Sequence, residues 1–84
     1  MLVMKWVDGG TLHEVYRFKN DFGALLTRIS GTLDRWELSV IEFEPGNERF
    51  FFVTHLPGID ADRIYHRPAV NEVLKRIESY KRES

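Results

Sequence analysis

The sequence predicts an α+β fold: an antiparallel meander of four or five strands with one C-terminal helix packed on one face. Three observations carry this. The run Trp36-Glu37-Leu38-Ser39-Val40-Ile41-Glu42-Phe43 reads as a strand, and Pro45-Gly46-Asn47-Glu48 turns it back onto Phe50-Phe51-Phe52-Val53 as a hairpin. Beyond these, Pro68 opens a helix in which Val70, Val73, Leu74 and Ile77 recur at spacings of three, four and seven.

The remaining elements follow in order. Leu2, Met4 and Trp6 alternate with Val3, Lys5 and Val7, the period of a half-buried strand, and Asp8-Gly9-Gly10 signals a tight turn. From Thr11 to Lys19, Leu12, Glu14, Tyr16 and Phe18 share one face of a second strand. Asn20-Asp21-Phe22-Gly23 breaks the run, and Ala24 to Ile29 resumes it, with strand favoured over helix because Gly23 and Gly31 bracket so short a segment. The change of parity at Val40-Ile41 predicts either a bulge or a strand buried on both faces. Three consecutive Phe place rings on both sides of the following strand, which predicts a central or interface strand. Asp60 to Tyr65 reads as a single helical turn before the helix proper. Glu72 precedes Arg76, and Glu78 precedes Arg82, by four residues, the favourable order for exposed pairs.

Eighty-four residues make one domain, 1–84, with a single core and thin stability. No cysteine is present, so disulfides, thiolate catalysis and Cys-ligated metals are out, and a reducing compartment such as the cytoplasm fits. Six Phe, two Trp and three Tyr are the available staple, with a partner subunit as its supplement. Met1 to Val7 is too short and too soon interrupted for a signal peptide, and no stretch approaches the roughly 20 apolar residues of a membrane span. The formal net charge of −1 argues for no polyanionic partner. Residues 63–84 are nonetheless basic, with six Lys or Arg against three Glu, a distribution expected near the C-terminal end of a helix.

Candidate chemistry is sparse. Asp60 and Asp62 with His55 and His66 match no metal-ligand spacing that has a mechanism, and acids ahead of a helix are expected as caps. His13 and His66 read as surface or capping residues, with a switch near neutral pH as the functional alternative. No Gly-x-Ser-x-Gly, Ser-x-x-Lys or phosphate-cradling glycine loop is present, and Glu37, Glu42, Glu44 and Glu48 read as solvent-facing. The sequence therefore predicts no catalytic, metal-ligating or cofactor-binding residue, and no enzyme. Arg49-Phe50-Phe51-Phe52 invites comparison with sheets that stack single-stranded bases, but Glu42, Glu44 and Glu48 beside it would repel phosphate.

Asn20-Asp21-Phe22-Gly23-Ala24, Arg35-Trp36-Glu37-Leu38-Ser39-Val40, Leu56-Pro57-Gly58-Ile59-Asp60-Ala61-Asp62 and the stripe Val70, Leu74, Ile77 together resemble a family of short proteins encoded by bacteriophages and prophages, of unassigned function. The resemblance covers about residues 16–80; the Ser30–Asp34 connection is shorter than that family's Gly-rich loop, and Arg67-Pro68 stands where its helix entry is Leu-Thr-like. It implies a phage accessory protein acting in the host cytoplasm, and it transfers no catalytic residue.

One helix covers one sheet face, so the two-sided Phe strand is expected to leave apolar surface for a partner. The predicted partner is a second copy, with Phe50, Phe51 and Phe52 as interface candidates, beside a host or phage protein that the chain would bind and inhibit. The alternative is a nucleic-acid-binding accessory protein that uses the basic C-terminal helix.

Overall fold

The computed structural model describes residues 2–53, 56, 58–59 and 63–80, Arg63 by its backbone alone. The chain forms β1 (Leu2–Asp8), β2 (Thr11–Arg17), β3 (Phe22–Arg28), β4 (Trp36–Phe43), β5 (Phe50–Phe52), β6 (Arg63–Tyr65) and α1 (Arg67–Ser79). All strand pairings are antiparallel. Strands β1 to β5 lie in chain order, as a meander does, and β6 pairs with β4 beside β5. The α+β meander with a single C-terminal helix is thus the architecture, with a sixth short strand added.

Turn chemistry sets the register. Gly9 and Gly10 both have positive φ, 58° and 81°, so the Asp8–Thr11 pair is closed by a turn whose twist matches the strands it joins. At the next corner Asp21 takes φ 64°, and Asp21 N donates to Phe18 O at 3.0 Å.

Alternation then sorts the side chains onto two faces. Phe22, Ala24 and Leu26 of β3 and Trp36, Leu38 and Val40 of β4 face α1, whose Val70, Val73, Leu74 and Ile77 are all buried against them. Full burial of a side chain such as Ile77 or Val70 contributes roughly 1.5–3 kcal/mol, so this layer is the main source of stability. The parity change at Val40-Ile41 reflects a strand buried on both sides, not a bulge: pairing of β3 with β4 runs without a slip from Phe22–Glu42 to Arg28–Trp36. Ile41 and Phe43 pack with Val15 in a second, smaller cluster on the opposite face.

Loops clamp both ends of the helix. At its start, where His66 gives no side-chain cap, Arg67 N donates to Asp34 Oδ1 at 2.8 Å. At its end, Asn20 Nδ2 donates to Ile77 O and Tyr80 O, each at 2.8 Å, while Asn20 Oδ1 accepts from Phe22 N.

Three expectations are corrected. Strand β5 is not central: it pairs only with Ile41 to Phe43 at the end of β4, and α1 packs over β3 and β4, so Phe50, Phe51 and Phe52 are all exposed. Residues 63–65 are not a helical turn, because the first half of β4 has a free edge that Arg63 to Tyr65 fill; residues 60–62 lie outside the described residues. Glu72 approaches Lys75, at 4.0 Å, and not Arg76, while Arg82 lies outside the described residues.

Candidate binding face

The face of the sheet turned away from α1 has a filled floor and bare walls. Its floor is Val15, Ile41 and Phe43, all buried, with Leu25 packed beside them. Its walls are the outer strands. On one side stand Val3, Met4 and Trp6 of β1, and on the other Phe50 and Phe52 of β5, all exposed. A slip in pairing between Leu2 and Met4 adds a residue to β1, so that Val3 and Met4 both line this face. Between the walls lies an apolar groove of about 210 Å³ lined by Val3, Met4, Trp6, Phe43 and Phe50, with Arg17 and Glu48 its charged groups among the described residues.

Gly23 shapes the groove. A Cβ built on it would fall on the carbonyl oxygen of Tyr16 and within 3.1 Å of the Phe43 ring, so β2 and β3 approach as closely as they do only because that atom is missing. Arg17 then lies across Phe43, its Cζ 4.5 Å from the ring centre. The guanidinium is held by Asp21 Oδ1 at 2.8 Å and by the carbonyl oxygens of Asn47 at 2.6 Å and Glu44 at 3.3 Å, which ties the two hairpin corners together.

Register also sets a polar row across the same face: Trp6, His13, Thr27 and Glu37, on β1 to β4 in turn, with Ile64 of β6 beyond. His13 stacks on Trp6 with centroids 4.9 Å apart, and its Nδ1 hydrogen-bonds Thr27 Oγ1 at 3.0 Å. Glu37 is exposed.

The interface candidates divide accordingly. Phe50 and Phe52 pair with Phe43 and Ile41 and stand on the open face. Phe51 pairs with Glu42 and points to the helix side of the sheet, where it remains 51% exposed.

A second cluster of ionisable groups, unsuspected from sequence, lies under the start of α1. Glu14 is only 5% exposed; its Oε1 accepts from Tyr16 Oη at 2.8 Å and from Arg67 Nη2 at 3.1 Å, and Arg67 also donates to Tyr16 Oη at 3.0 Å. The Arg67 guanidinium rests 4.8 Å from the Trp36 ring centre. Burial raises the Tyr16 phenol above its ordinary range, and the hydrogen bond to Glu14 and its charge add to this. Burial works against the Arg67 charge, but the hydrogen bond and charge of Glu14, with Tyr16 in support, raise it overall. The cluster is closed on itself and locks β2 to the helix.

Among the described residues no group of three or more His, Asp or Glu is placed to hold a metal ion; His55, Asp60 and Asp62 lie outside them. Among the same residues no helix is long and apolar enough to cross a membrane. No protein-family model, curated protein or solved structure matches the chain.

Proposed function

We propose that this protein works by association without catalysis, as a homodimer joined through the open face of its sheet. The supporting observation is the pair of bare walls: Val3, Met4, Trp6, Phe50 and Phe52 stay exposed around a floor that is already buried. A patch of this kind on one contiguous face is at the upper end of what single-chain proteins leave uncovered. A non-catalytic role is supported by the buried carboxylate of Glu14, which Tyr16 and Arg67 already engage.

In the phage or prophage setting that the sequence resemblance implies, the dimer acts in the host cytoplasm by binding a host or phage protein, with inhibition as its mode of action. Nucleic acid has less support. The open face carries Glu37 and Glu48, Arg17 on that face is committed to Asp21 and two carbonyl groups, and Lys75 on the helix lies beside Glu72.

Light scattering across the micromolar range tests the proposal. The expected mass at the upper end is twice the 9.9 kDa of the chain, with little dependence on salt, as for an apolar interface. A mass that stays at 9.9 kDa overturns it.

A further inference from the structure

Resting on the reading of the open face as an association surface, we infer the geometry of the pair: two copies lie face to face about a two-fold axis along β3, so that His13 of each stands over Glu37 of the other. The sheet is built nearly symmetrically about β3. It has β2 and then β1 on one side, and β4 and then β5 and β6 on the other. An axis along β3 keeps the height along the strands and exchanges β2 with β4 and β1 with the β5–β6 edge.

Most of the face then meets a complementary part, while Arg17, already held by Asp21 and two carbonyl oxygens, meets Ile41. In the polar row Thr27 meets Thr27, His13 meets Glu37, and the exposed Trp6 meets the exposed Ile64. In the next row Leu25 meets Leu25, and Val15 meets Ser39. Farther along, the Val3–Met4 wall meets Phe52, so the strand with every residue exposed, β1, is covered by the other exposed wall. His13 Nδ1 is engaged by Thr27, which leaves Nε2 as the nitrogen that reaches across.

Charge selects this axis over its rival. A two-fold axis across the strands, through the Val15–Leu25–Ser39 row, would lay β2 on β2 and β4 on β4 with heights reversed. His13 would then face Arg17, and Glu37 would face Ile41, which leaves a carboxylate buried against an apolar side chain with no donor opposite it. Area is consistent with the pairing as well. The exposed parts of Val3, Met4, Trp6, Phe52 and Ile64 come to on the order of 500 Å², and the polar row carries the face toward the roughly 800 Å² per partner of a stable interface. Because His13 with Glu37, Trp6 with Ile64, and the β1 wall with Phe52 are partners carried by one and the same face, the occupant is a second copy and not an unrelated chain.

Sedimentation equilibrium on the full chain and six variants tests this. Phe52→Asp, at a position already 59% exposed, is expected to weaken the dimer at least about tenfold. Phe51→Asp, at a position 51% exposed on the other side of the same strand, is expected to leave it unchanged. Glu37→Arg and His13→Glu are each expected to weaken it about three- to tenfold, and His13→Glu with Glu37→Arg to restore it. Circular dichroism on each variant confirms folding, and Thr27→Ser, which keeps the hydroxyl for His13, serves as the neutral substitution in the row. If Phe52→Asp dissociates the dimer but the charge swap does not restore it, the axis is wrong while the face stands as the association surface. If Phe51→Asp dissociates it and Phe52→Asp does not, or if the chain is monomeric throughout, the second copy on this face is refuted.

Discussion

Arg67→Met is the most informative single substitution for the fold, because among the described residues Arg67 is the cation that reaches the buried Glu14 carboxylate in the Glu14–Tyr16–Arg67 cluster. Methionine keeps an apolar stem over Trp36 and removes the charge. Two contributions are lost. A charge-assisted hydrogen bond is worth roughly 1.5–3 kcal/mol, and a guanidinium over an indole roughly 0.5–1 kcal/mol. Against them, the Arg67 side chain is 34% exposed and Tyr16 still donates to Glu14, so solvent screening brings the expected loss to about 2 kcal/mol. That is a large share of the ~4–13 kcal/mol expected for a chain of this size. Urea unfolding at pH 7 and fixed protein concentration measures it, with Glu14→Gln and the double variant completing a cycle whose coupling should be about 1–2 kcal/mol. A loss below about 0.5 kcal/mol, or an additive cycle, would refute the claim that this cluster holds the helix to β2.

Gly23→Ala should lose about 2–4 kcal/mol or fail to fold, since the new atom meets the backbone oxygen of Tyr16 and the strands must part; a urea midpoint close to that of the parent chain would show that they part freely. Alkaline pH gives a third measurement. The phenol of folded Tyr16 is raised above its unfolded value, so its contribution is complete below about pH 10 and is lost as pH rises through the folded value. Tyr16→Phe should flatten that part of the stability profile, and an unchanged slope would contradict the assignment.

Much of the fold was legible because its signals are local. Period-two alternation marks β1 to β4, paired glycines mark the first turn, and the Val70–Ile77 stripe marks the helix. The parity change at Val40-Ile41 could be resolved only by finding a second cluster behind β4. What was illegible depends on distance in sequence. Glu14 and Arg67 are 53 residues apart, and neither neighbourhood announces the other. Strand β6 exists because the leading half of β4 has an edge to fill, a fact about β4 and not about Arg63-Ile64-Tyr65. The exposure of β5 went against the rule that consecutive aromatics are sheltered, since the helix covers strands two and three places in from the opposite edge and stops short of it. Asn20-Asp21-Phe22-Gly23-Ala24 shows the reverse, a short motif in which each position has its own physical reason: a helix-end clamp, a left-handed corner, a core ring, a close backbone approach and a fully buried methyl.

The two faces of the sheet answer to different measurements. On the helix face the apolar layer is full, and its ends are closed by Asp34, Asn20 and the Glu14–Arg67 pair, so substitutions there should change stability at every protein concentration. On the open face Phe52, Met4 and Trp6 make few demands on the isolated chain, and their removal should leave a monomer's stability nearly unchanged while altering how stability depends on concentration. Phe51 and Phe52 sit one residue apart on opposite sides of β5, which makes them the sharpest pair for separating the two effects. A concentration dependence that vanishes in Phe52→Asp and persists in Phe51→Asp assigns the association to the open face without appeal to any partner's identity. If both variants keep it, the chain associates elsewhere, and the free edge of β1, whose outer backbone pairs with no strand among the described residues, becomes the surface to test next.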